Sequence, residues 1–126
     1  MQLTTAQRQA VIEFQCWRNS QFAALAEERQ RVAGNRRHDA ARSTANPIYM
    51  PECASKSAHE ADALSELESR YEAICRLDTH IKANYQGGRF YQSGVWHDPS
   101  ELPPLDTLLD QAAALMASPG LWGPGR

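Results

Sequence analysis

The chain has 126 residues, 42% of them hydrophobic and 22% charged, and a formal net charge of -2. That length supports a core without disulfide staples, and that composition excludes disorder of the whole chain. The slight acidity excludes a global field for nucleic acid or anionic lipid, so any such affinity has to come from local clustering.

The opening segment, Met1-Gln2-Leu3-Thr4-Thr5, lacks a basic region followed by an apolar core and does not read as a signal peptide. A first helix is expected over residues 4–33, where Thr4 and Gln7 have capping-box spacing and neither Pro nor Gly intervenes. Val11, Phe14, Leu25 and Val32 recur at helical steps, while Arg18, Gln21 and Glu28 interrupt a strict heptad. The stripe therefore reads as the packing face of a bundle more than as a coiled-coil seam. Gly34-Asn35 is the expected stop.

Residues 35–56 read as a long flexible loop broken at Asn46-Pro47 and Met50-Pro51, with Ile48, Tyr49 and Met50 pinned to the core. The second helix, over residues 57–84, is expected to open with the box Ser57-Ala58-His59-Glu60. Leu64, Leu67, Tyr71, Ile74, Leu77 and Ile81 form its apolar stripe. Residues 89–97 carry two aromatic runs around Ser93-Gly94 and predict a small β-hairpin, in which Tyr91 and Trp96 are the exposed pair. Asp98-Pro99-Ser100-Glu101 predicts one capped turn, and Leu105–Ala117 a third helix. Residues 119–126 read as a loose tail. The expected fold is thus all-α in the main: one domain built on a long antiparallel helical hairpin, a shorter C-terminal helix and the β-hairpin.

Motifs for chemistry are sparse. Cys16, Cys53 and Cys75 are widely spaced, which argues against a disulfide framework and for a reducing, cytoplasmic setting. His59-Glu60 begins like a zincin helix, yet Ala63 stands where the second ligand belongs, so no metal is expected. Cys75 and His80 lie five apart and share no helix face, and Cys16 beside Trp17 is expected in an apolar setting that keeps a thiol inert. The acids of the second helix alternate with Leu and Arg as on a solvated face, and Gly87-Gly88 lacks the Lys of a phosphate loop. No catalytic residue and no cofactor are therefore expected.

Two clusters point to binding. Arg29, Arg31, Arg36, Arg37 and Arg42 gather where the first helix is expected to end, forming a basic tip suited to carboxylates or phosphates. Arg89, Tyr91 and Trp96 combine a guanidinium with aromatic rings, which serve as interface anchors or as stacking platforms. The acids of residues 57–82 leave one face acidic and the tip basic, an arrangement that also leaves room for a homodimer.

The leading expectation is a small non-enzymatic interaction protein (adaptor, regulator or inhibitor) that binds a protein partner through the Arg tip and the aromatics. The alternative is a nucleic-acid-associated protein contacting phosphates through Arg29–Arg42, and a metal- or thiol-dependent enzyme stands third. No membrane association is expected, because no apolar run approaches the roughly 20 residues of a span. A compact, motif-poor chain of this kind is compatible with a phage or mobile-element accessory protein.

Overall fold

Thr4 and Gln7 form the reciprocal cap that their spacing predicts: the Gln7 amide donates to Thr4 Oγ1 at 3.1 Å, and the Thr4 amide donates to Gln7 Oε1 at 3.0 Å. From that cap the helix α1 runs over Thr5–Ala45 in the computed structural model, which describes residues 2–118. The second long helix, α2, spans Met50–Gln86 and packs antiparallel to α1. Strands β1 (Phe90–Gln92) and β2 (Val95–His97) follow, and α3 (Leu105–Ala117) completes the described chain. The expected tail of residues 119–126 lies outside the described residues.

The expected break at Gly34-Asn35 and the expected loop over residues 35–56 are replaced by helix. Gly34 costs a helix interior about 1 kcal/mol relative to Ala. Beyond it, Asn35 Nδ2 lies 3.5 Å from both carboxylate oxygens of Glu60, and Asp39 Oδ1 lies 3.6 Å from Lys56 Nζ. These partners sit on α2, and their contacts hold α1 helical for eleven residues past the glycine. The prolines also act differently from breakers. Pro47 opens a single 3-10 turn, Pro47–Tyr49, whose cap Asn46 accepts from the Ile48 amide at 3.3 Å, and Pro51 falls in the first turn of α2. In those places a missing N–H costs nothing and a fixed φ helps. Residues 57–60, expected as a helix start, are therefore interior to α2.

The chain divides into two compact units, residues 22–71 and residues 1–21 with 72–126. The first unit is a two-helix hairpin. Its inward positions on α1 are Leu25, Glu28, Val32, Asn35 and Asp39, and on α2 they are Cys53, Ser57, Glu60, Leu64, Leu67 and Tyr71. All are buried or half-buried at alternating steps of three and four, so the heptad is kept and polar residues belong to it. Phe22 and Tyr71 pair with ring centroids 5.7 Å apart at its edge.

In the second unit the same spacing runs through Val11, Phe14, Arg18 and Gln21 and through Ile74, Asp78, Ile81 and Tyr85. Leu105, Leu108 and Ala112 of α3 are buried, and Gln7 Nε2 donates to Asp106 Oδ1 at 3.0 Å, joining the two helix starts. The chain leaves α2 at Gly87, whose φ of 75° supplies the left-handed residue after a helix. β1 and β2 pair with Tyr91 opposite Trp96, joined by Ser93-Gly94. Both turn residues have positive φ (54° and 79°), the I′ geometry that suits a two-residue hairpin. Three residues per strand are marginal alone. Here Phe90 anchors them, buried between the rings of His80 at 5.2 Å and His97 at 5.3 Å.

Candidate functional site

The five arginines expected at a helix end lie instead along α1, which continues to Ala45. Only Arg42 sits in the last turn, where the helix dipole favours a cation. Its guanidinium carbon lies 4.0 Å from the centroid of the Tyr49 ring, a cation–π contact across the turn. Arg29 Nε is bonded to Glu68 Oε1 at 3.1 Å. Arg31 directs Nε and Nη2 at Glu28 Oε2, at 3.2 and 2.9 Å, and that hydrogen bond with its charge raises the Arg31 pKa. Arg36 and Arg37 are exposed. The cluster is therefore a strip with two members committed to carboxylates, and its free charge lies at Arg36 and Arg37.

The turn itself carries a different surface. Ile48 is 74% exposed and Met50 56%, against the expectation that they pin a loop to the core. A groove of about 270 Å³ begins at Met50 and is lined by Arg36, Asp39, Ala40 and Cys53 among others. The turn thus presents an apolar end, with Arg36 beside Met50 and Arg42 on Tyr49. The sequence signal for it was present in the motif Ile48-Tyr49-Met50 between two prolines. Placing that motif in a long loop hid it.

In the other unit, Tyr91 and Trp96 share the outer face of the β-hairpin, edge to face with centroids 5.5 Å apart, and each is 59% exposed. Alternation along the strands puts them opposite buried Phe90. Val95 is exposed as well, and so is Arg89. Beside this pair is a cleft of about 370 Å³ whose charged lining is Arg18, Asp78, Lys82 and Arg89, with Tyr91 and Trp96 on its wall. Asp78 is only 3% exposed. Its Oδ2 receives Lys82 Nζ at 3.0 Å and Arg18 Nη1 at 3.2 Å. Asp78 Oδ1 and Arg18 Nε have no hydrogen-bond partner among the described residues. Sequence reasoning found Arg89, Tyr91 and Trp96 but missed Arg18, Asp78 and Lys82. The signal was the intrusion of Arg18 and Asp78 at inward heptad positions.

Among the described residues no group of three or more His, Cys, Asp or Glu is placed to hold a metal ion. The three thiols are free, and Cys16 is exposed, so the apolar setting expected for it is corrected: its helix position faces outward. His80 bonds to Gln92 Oε1, and His97 Nδ1 lies 3.0 Å from Glu101 Oε2, so these imidazoles tie the hairpin to its neighbours. No helix among the described residues is long and apolar enough to cross a membrane. Comparison with protein-family models, with curated proteins and with solved structures finds no match.

Proposed function

We propose that this chain is a small interaction protein of the adaptor, regulator or inhibitor kind, which acts by binding a protein partner through the turn of the hairpin of residues 22–71. The reading rests above all on the exposure of Ile48 and Met50 at that turn, beside Arg42 stacked on Tyr49. Apolar side chains that project from a helical hairpin are costly to leave in water and become anchors when a partner covers them. The flanking Arg36, Arg37 and Arg42 supply charge-assisted hydrogen bonds at the rim and fix the partner's chemistry: an apolar socket edged with carboxylates. Arg29 and Arg31, already held by Glu68 and Glu28, contribute less.

The test is retention from the native lysate on the tagged protein after nuclease treatment, compared with the Ile48→Asp, Met50→Asp double variant. Both positions are exposed, so helicity and melting should be unchanged. A protein retained by the wild type and lost with the double variant supports the reading. Retention that survives the double variant, or that vanishes with nuclease, overturns it.

A further inference from the structure

We propose that His97 is a pH-sensitive clamp on the β-hairpin: as an imidazolium it bridges β1 to the turn of residues 99–101, and as a neutral ring it lets one of the two contacts go. Every residue involved belongs to the unit of residues 1–21 and 72–126, so the inference is independent of the turn at residues 46–49.

The ring is set between two acceptors. Nδ1 lies 3.0 Å from Glu101 Oε2, and Nε2 lies 3.2 Å from the main-chain oxygen of Gln92. An ionised carboxylate and a main-chain carbonyl only accept, and a neutral imidazole carries one N–H and one lone pair. Whichever tautomer forms, it sets a lone pair against one of the two oxygens. Only the imidazolium donates at both, and at Glu101 it adds an ion pair. His80 differs: it meets Gln92 Oε1 through Nε2, a contact that a neutral ring makes.

Of the charged and titratable groups around the ring, one faces it directly. The turn supplies Asp98 and Glu101, Arg89 precedes β1, and α2 brings His80 across the Phe90 ring. Asp98 Oδ1 is committed to the Ser100 amide, and Arg89 acts on that carboxylate. Glu101 is the carboxylate turned to His97. A folded state that makes an extra contact only with the protonated ring gains stability as pH falls. It loses that contribution as pH rises through the range in which histidine changes charge, about 5 to 8.

The hairpin rests on few contacts, so one more is felt. Three residues per strand are marginal, and segments of this kind open locally at small cost. Gln92 and His97 are the chain neighbours of Tyr91 and Trp96, the exposed cross-strand pair. Holding Gln92 and Glu101 on one ring therefore steadies the segment that carries both aromatics. The Tyr91–Trp96 face is firmer in mildly acidic solution and looser in alkaline solution. Solvent reaches His97 and Glu101, at 33% and 60% side-chain exposure, which limits the effect to that of a surface pair.

The experiment is amide hydrogen exchange of residues 90–97 in the full chain, followed by NMR and expressed as protection, so that the intrinsic pH dependence of exchange cancels. Protection should be about two- to fivefold higher at about pH 5.5 than at about pH 8, the scale of an exposed ion pair. The Gln of Glu101→Gln accepts from the ring or donates to it, so it serves either protonation state and should remove most of the rise. Glu101 is exposed, so folding is spared. His97→Gln keeps a donor but takes up no proton, and should show no rise. Equal protection of the wild type at the two pH values overturns the proposal. So does a rise that persists undiminished in Glu101→Gln, or one that persists in His97→Gln and so belongs to His80 or another group. If His97→Gln loosens the hairpin at both pH values by losing its stacking on Phe90, the comparison with Glu101→Gln still decides.

Discussion

Arg18 and Asp78 face each other from α1 and α2 at inward positions, with Arg18 Nη1 3.2 Å from Asp78 Oδ2, and Asp78 is almost completely buried. Lys82 reaches the same oxygen from one turn further along α2, so a single carboxylate is shared by two cations. Removing a buried partner strands the charge left behind, and the loss exceeds the worth of the contact itself.

Asp78→Ala should therefore destabilise the protein by about 2 kcal/mol, below the usual figure for a buried pair because solvent reaches Arg18 and Lys82. Urea unfolding followed by circular dichroism measures the change. Adding Arg18→Met to Asp78→Ala should recover part of the loss, since the stranded guanidinium is gone. A double variant weaker than the sum of the singles would mean that Arg18 contributes mainly through packing.

Gly34→Ala should stabilise the protein by about 0.5–1 kcal/mol. Gly34 lies inside α1 without a positive φ, and an added Cβ meets no atom within 4 Å. The substitution removes the backbone freedom of the unfolded chain at no steric cost. A lowered melting temperature would show that the helix does not persist through this position in solution.

The turn after the β-hairpin makes a pH prediction. The Ser100 amide donates to Asp98 Oδ1 at 2.9 Å, and this bond holds the Asp98 pKa below its ordinary 3.8, with the Ser100 side chain acting in the same direction. A folded value below the unfolded one means that the cap's contribution is fully present above the unfolded pKa. It is lost as pH falls through the folded value. A carboxyl-carbon NMR titration should place the Asp98 midpoint below 3.8. Asp98→Asn keeps an acceptor for the amide and should remove this contribution to acid sensitivity while leaving the turn intact.

Charge reversal with Arg36→Glu and Arg37→Glu should abolish retention of the protein partner and leave the far-ultraviolet circular dichroism spectrum unchanged, because both side chains are exposed. Undiminished retention would confine the contact to the apolar turn.

Local signals were legible wherever a residue satisfies its own neighbours. The Thr4–Gln7 box, the Ser93-Gly94 turn and the Asp98-Pro99 cap all stand where spacing alone places them. The outward pair Tyr91 and Trp96 follows from alternation along a strand. Signals failed where distant partners decided the outcome. Gly34-Asn35 reads as a stop until Asn35 is seen to reach Glu60, and Asp39 reads as a loop residue until Lys56 meets it. The candidate cleft was half legible for the same reason. Arg89, Tyr91 and Trp96 are adjacent in sequence or across a turn, whereas Arg18 and Asp78 come together only when two helices pair.

The polar contacts of the two-helix hairpin have one further effect. Asn35 meets Glu60 and Asp39 meets Lys56, so each step of four along α1 matches a step of four backwards along α2. Sliding one helix past the other by a heptad would set Asn35 against Leu67 and Asp39 against Ala63, leaving an amide and a carboxylate without partners. An all-apolar seam would tolerate that slippage with little change in energy. Asn35, Asp39, Lys56 and Glu60 thus work as registration marks, trading some hydrophobic stability for a single alignment of the two helices.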